Sequence, residues 1–262
     1  MKQNKYFSPG RFARLFRNDL LINQKTYLFT LAGLGIAIYA LMYFLMMNTK
    51  HVGANQYTGF IVFYLMGVGV VIGTAFPALT NQIKTSNYLL APGSTFEKYL
   101  VQFVIRMVIF IPIALLIFWF SANLAKASLV PDPTIGFDPE VSIADFSFES
   151  LFNRLYYKDI APTILGIFSM YSLLFAGSVY FKRFALPKTL ILAGIIVGAL
   201  VLSFVLFSHI FYPLETHGFE MKLVSYKVGD IDNYKVFLYC WASISWVFFL
   251  LFAYFKLKEK EV

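Results

Sequence analysis

Four consecutive residues, Ser94-Thr95-Phe96-Glu97, carry the sharpest local chemistry in this sequence. A serine three positions ahead of a glutamate has capping-box spacing. The Ser94 hydroxyl accepts from the Glu97 amide while the Glu97 carboxylate accepts from the Ser94 amide. The pair follows the chain break Pro92-Gly93, so a helix is predicted to begin at Ser94. A well-made entry into a helix and a docking site for another protein use these residues equally well, and local physics leaves both open.

Other reactive chemistry is missing by pattern. His51, His209 and His217 do not form His-Glu-x-x-His, and no metal site is expected. The hydroxyls of Ser169, Tyr171, Ser172 and Ser178 have no neighbouring base, so a nucleophilic enzyme is not expected. Lone Cys240 excludes an intramolecular disulfide and reads as a small buried hydrophobe. No Gly-x-x-x-x-Gly-Lys-Ser/Thr loop occurs, so the chain is not itself a Walker-type ATPase. Neither an enzyme nor a resident cofactor is expected.

The elements that must hold the capping motif are apolar. Hydrophobic residues make up 59% of the 262 and charged residues only 14%, where a soluble domain carries about 25% charged. The apolar residues come in long runs, which lipid-spanning helices accommodate because they satisfy their own backbone hydrogen bonds. An all-α integral membrane domain over 1–262 is predicted. Its six transmembrane helices lie at about 26–47, 58–79, 104–124, 161–181, 189–211 and 236–255, with an external loop at 125–160. Each supplies the ~20 residues that cross a hydrocarbon core of about 30 Å. No Asp or Glu falls within them, which disfavours a self-sufficient proton-coupled carrier.

Charge sets the orientation. Alternate connections hold 15 of the 22 basic residues and only four acids, giving +11 on one side against −3 on the other. The basic side is the cytoplasmic one, and both termini belong to it. Basic residues confined to the ends of apolar runs also argue against a nucleic-acid partner. The long basic start and full-length first run predict an uncleaved signal anchor in a bacterial inner membrane.

Residues 9–23 predict an interfacial helix within the cytoplasmic segment 1–25. Phe12, Leu15, Phe16 and Leu20 share one face, while Arg11, Arg14, Arg17 and Asn18 share the other, turned toward anionic headgroups. Asp19 intrudes on the apolar face. A plain basic flank of the first span explains the same residues. Arg106 is expected to snorkel to the cytoplasmic interface, and Pro112 and Pro77 to kink the third and second spans. Gly67, Gly69 and Gly73, with Gly194 and Gly198, predict close helix packing. The external loop should be irregular around Pro131, Pro133 and Pro139, then helical through Phe148, Leu151, Phe152 and Leu155.

Two stretches resemble a known family. These are Phe76 followed by Tyr88-Leu89-Leu90-Ala91-Pro92-Gly93-Ser94-Thr95-Phe96-Glu97-Lys98-Tyr99, and Gly177-Ser178-Val179-Tyr180-Phe181-Lys182-Arg183-Phe184-Ala185-Leu186-Pro187-Lys188-Thr189. Both resemble the cytoplasmic loops of ABC-2 type transporter permeases, especially small six-span permeases of Bacteroidetes. Gly93 departs from that pattern, standing where a small residue with a Cβ is usual. The resemblance implies a dimer of six-span halves, alike or different, driven by a separate ABC ATPase subunit and exporting a substrate. It implies an ATPase-coupling loop including Tyr88, Pro92, Ser94, Glu97 and Lys98, and a second contact at Lys182, Arg183 and Lys188. Arg11, Phe12, Arg14, Leu15, Phe16 and Arg17 would anchor it in membrane lipid. A membrane scaffold or sensor without transport activity is the alternative.

Overall fold

The computed structural model describes residues 7–47, 51–52, 54–80, 85, 88, 90, 92–129, 142–143, 146–149, 157–181, 184–211, 227–228 and 231–260. Helix α1 runs unbroken over Pro9–Met47, 39 residues or about 58 Å. Pro9 opens it, where a missing N–H costs no intrahelical bond, and the Ser8 carbonyl accepts from the Phe12 amide at 2.9 Å. The expected interfacial helix is thus no separate element. No proline or glycine lies between Arg11 and Ala32 to end it, so the helix carries straight into the apolar run.

Helix α2 covers Ala54–Ile72 and stops earlier than the expected 58–79. Proline disfavours helical backbone at the residue before it and clashes with the carbonyl four back. Pro77 instead opens a short 3-10 turn, Pro77–Thr80. Helix α3 (Thr95–Phe103) passes through one widened, π-type turn (Val104–Ile109) into α4 (Phe110–Leu129). That turn lies just ahead of Pro112. Proline takes the amide from Val108's usual partner, and the wide turn absorbs the displaced carbonyls. The predicted disruption is therefore a bulge within a continuous rod.

Helices α5 (Tyr157–Tyr180), α6 (Ala185–Phe211) and α7 (Asn233–Glu259) complete the bundle. Two minimal ladders join connections: β1 (His51–Val52) pairs in parallel with β2 (Ser142–Ile143), and β3 (Lys227–Val228) antiparallel with β4 (Ile231–Asp232). Of the predicted external helix only Phe148 is described, against the buried Phe146 ring. Leu151, Phe152, Leu155 and the three loop prolines lie outside the described residues.

Among the described residues three helical stretches are long and apolar enough to cross a membrane: Pro9–Met47, Thr95–Leu129 and Thr163–Tyr180, with mean hydropathies of 2.0, 2.6 and 1.5 over 18-residue windows. Gln56–Ile72 and Ala185–Ile196 are shorter apolar helices. The outer surface carries many large apolar side chains, with Phe29, Ile36, Leu116, Phe120, Ile195 and Phe248 all exposed. Water would penalise such a surface, and a lipid surround would not.

Inside, α5 packs along α7 and α1 along α4. Phe175 is fully buried among the rings of Phe76, Tyr99 and Phe103. Buried tyrosines find carbonyls: Tyr64 Oη donates to Ala114 O and Tyr171 Oη to Leu65 O, each at 2.9 Å. Gly69 allows the close approach expected of it, since a Cβ there would meet Leu174 Cδ1 at 3.0 Å. Gly194 and Gly198 do not, for nothing lies within 4 Å of either Cβ position. Cys240, expected to be buried, is exposed on α7.

Candidate functional site

The capping box forms as its spacing predicts. Ser94 has extended backbone (φ −73°, ψ 154°) and caps α3. Its Oγ accepts from the Glu97 amide at 3.2 Å, and Glu97 Oε2 accepts from the Ser94 amide at 2.9 Å.

The second Glu97 oxygen does something the local sequence does not announce. Oε1 accepts from the Ser8 amide at 2.6 Å and from Arg11 Nε at 3.3 Å, with Arg11 Nη2 at 3.2 Å. Glu97 is 0% exposed, and every group facing it is a donor, the surroundings an ionised carboxylate requires. One side chain therefore closes the N-terminal turns of α1 and α3 together. Removing it would take an acceptor from the half-buried Arg11 guanidinium and from the Ser8 and Ser94 amides at once.

Apolar contacts frame this clasp. Leu15 lies against Gly93, and Phe7 stands edge-on to Phe96 with centroids 6.3 Å apart. Phe96 meets Tyr254 of α7 at 5.9 Å. Tyr99 Oη donates to the Leu250 carbonyl at 3.0 Å. Lys260, past the end of α7, donates to the Val179 carbonyl near the end of α5. The starts of α1 and α3 thus share one end of the bundle with the ends of α5 and α7. The start of α6 joins them, because Gly177 abuts Thr189.

The expected coupling-loop residues divide by exposure. Pro92 is exposed, as is Leu90 beside it. Ser94 is half-buried, and Glu97 and Lys98 face inward. Tyr88 lies edge-on to Phe76, and Lys98 Nζ stands 6.0 Å from the Tyr88 ring centre. Of the expected second contact, Lys182 and Arg183 lie outside the described residues. Lys188 is exposed, its Nζ 5.9 Å from the Phe181 ring centre. Between them Phe184 is 76% exposed and holds a positive φ of 53°, an uncommon conformation for a side chain of this size.

Along α1 the expected faces are altered in two places. Phe12, Leu15 and Phe16 do face inward, and Arg14 and Arg17 face outward. Arg11 does not stay with the other arginines but turns in to Glu97. Asp19 is no intrusion, for its carboxylate accepts from Asn23 Nδ2 at 3.1 Å, Gln102 Nε2 at 2.9 Å and Tyr27 Oη at 2.7 Å. These partners make a polar seam between α1 and α3.

Arg106, expected to snorkel outward, is only 4% exposed. Its guanidinium sits 4.9 Å from the Tyr27 ring centre and donates to the carbonyls of Val71 and Thr74, each at 3.5 Å. The reason is the early end of α2. The last carbonyls of α2 lie at the negative end of its dipole, where a cation is favoured, and Val71 O accepts there from the Thr74 amide at 3.1 Å and Thr74 Oγ1 at 2.8 Å as well. The sequence signals for both surprises were Asp19 on an apolar face and a lone arginine one turn after Gln102.

Among the described residues no cluster of His, Cys, Asp or Glu could hold a metal ion. No protein-family model, curated protein or solved structure matches this chain.

Proposed function

We propose that this chain is the membrane-spanning permease subunit of an ABC-2 type, ATP-driven exporter in a bacterial inner membrane. In this reading six helices cross the bilayer, both termini are cytoplasmic, and two permease subunits, identical or related, pair with separate ABC ATPase subunits. The observation that carries it is Glu97. This one buried carboxylate ties the start of α1 to the start of α3, at the bundle end where lysine- and arginine-bearing segments converge. A partner pressing on exposed Leu90, Pro92 and Phe96 would move two long helices together rather than a loop alone. That is the mechanical requirement of a permease driven from outside the membrane.

The chain supplies no catalytic residue to this cycle, and ATP hydrolysis belongs to the partner. The permease residues position and transmit. Exposed Lys188 and the adjoining Lys182 and Arg183 are the second proposed contact, and exposed Arg14 and Arg17 meet anionic lipid.

The test is co-purification from native membranes with a chain bearing a Walker motif, followed by reconstitution. ATP-dependent export by the pair supports the reading. Transport by this chain alone in liposomes without ATP refutes it.

A further inference from the structure

Among the described residues, two buried side-chain polar atoms have no hydrogen-bond partner: Arg106 Nε and Gln102 Oε1, in side chains 4% and 3% exposed. One is a donor and the other an acceptor, and they belong to residues four apart in one rod. In a regular α-helix such residues face each other and pair. Here the widened turn Val104–Ile109 sets them out of register. Among the described residues the hydrogen bonds of Arg106 are two long ones to the end of α2. Asp19, of opposite charge, is held by neutral donors alone, and Tyr27 stands between them, hydroxyl to Asp19 and ring to Arg106.

We propose that the widened turn is a two-position latch with Arg106 as its moving part. In the position described, Arg106 holds the Val71 and Thr74 carbonyls and so fixes the end of α2. In the other, the turn shifts toward α geometry, leaving the Val108 carbonyl facing Pro112, which has no amide, and the guanidinium swings to Gln102 Oε1 and Asp19, releasing the end of α2. The first position leaves two buried groups unsatisfied. The second satisfies them and joins the charges, but takes the cation from the Val71 and Thr74 carbonyls, of which Val71 O keeps its bonds from the Thr74 amide and hydroxyl. Each arrangement gains what the other gives up, which is the condition for a bistable element. Wide turns of this kind recur at functional sites within α-helices. The latch belongs to this chain alone and stands whether or not an ATPase docks on it.

The experiment uses the full chain in lipid nanodiscs, with Cys240→Ser and spin labels at exposed Ile22 (as Ile22→Cys, α1) and Val70 (as Val70→Cys, α2). Pulsed dipolar spectroscopy should find two separations. Asp19→Asn keeps the side chain's size but removes the charge that draws Arg106. It should deplete the second separation about tenfold, the effect of losing one charged hydrogen bond in one of two positions. Deleting Val108, which restores α register, should enrich it. A single separation in the parent protein overturns the latch. So does a ratio that Asp19→Asn leaves unchanged, and this variant decides alone if the deletion fails to fold.

Discussion

Leu15 occupies the space that a side chain on residue 93 would need: a Cβ built on Gly93 falls 2.6 Å from Leu15 Cδ1. Two residues 78 apart in sequence, near the starts of α1 and α3, therefore meet side chain to backbone. With no Cβ at residue 93, α1 can lie this closely on the loop.

Gly93→Ala should accordingly lower stability. The displaced atom is the end of a flexible side chain, so the loss should be moderate, about 1–3 kcal/mol by analogy with overpacked cores. Thermal unfolding in detergent measures it. Leu15→Ala added to Gly93→Ala should recover part of the loss, and strictly additive losses would show that the two residues do not share the strain.

Glu97→Gln should separate the clasp from the cap. The amide still accepts at the Ser94 backbone but gives up the charge facing Arg11 and Ser8. Ser94→Ala removes the hydroxyl half of the cap and should cost about 1 kcal/mol of helix stability. The N-terminal segment before Pro9 should become protease-sensitive in Glu97→Gln and stay protected in Ser94→Ala. Equal protection in both would mean that Glu97 does not hold the start of α1.

On the proposed function, Glu97→Ala and Pro92→Leu should each lower substrate-stimulated ATPase activity of the assembled complex while the chain still inserts in the membrane. The first unties α1 from α3, and the second alters the exposed break ahead of the cap. Unchanged stimulation in both removes the coupling role from this loop.

What was legible in the sequence was what is local or repeated. The cap at Ser94 needs only residues 94–97, and the helical, membrane-like class needs only long apolar runs. The far partners of Glu97 were not legible, since Ser8 and Arg11 reach it across 89 and 86 residues and helical spacing sorted Arg11 with the other arginines. Arg106 was misplaced because snorkelling assumes that nothing inside can receive a cation. Pro77, by ending α2 early, supplies carbonyls that do. Gly194 and Gly198 show the limit of a spacing motif, which marks where close approach is sterically allowed and not whether a neighbour comes.

The glycines sort into opposite expectations. A Cβ on Gly177 would lie 1.9 Å from Thr189 Oγ1 and within 2.7 Å of two further Thr189 atoms. Thr189 cannot yield as Leu15 can, being β-branched, 2% exposed and bonded through Oγ1 to the Ala185 carbonyl at 2.7 Å. Gly177→Ala should therefore damage the α5–α6 hairpin more than Gly93→Ala damages the clasp. Gly194→Ala meets nothing and should raise helix stability by up to about 1 kcal/mol. Thermal midpoints in one detergent should rank Gly194→Ala highest and Gly177→Ala lowest, and a reversed order would place α6 wrongly against α5.

Tyr27 offers the cleanest dissection of the polar seam, because its two ends do different work. Tyr27→Phe keeps the ring beneath Arg106 but takes from Asp19 its shortest hydrogen bond. Hydrogen bonds to charged groups contribute about 1.5–3 kcal/mol, so a loss in that range is expected. Tyr27→Leu removes the ring as well, and a desolvated cation–π contact adds about 2 kcal/mol more. Combining each with Asp19→Asn distinguishes the two ends. The cost of Tyr27→Phe should shrink once residue 19 is uncharged, since the hydroxyl then serves a neutral acceptor. The additional cost of Tyr27→Leu should remain, since the Arg106 cation is still present. If both costs shrank alike, the ring would be acting on Asp19 and not on Arg106, and the bridge between the two charges would have to be redrawn.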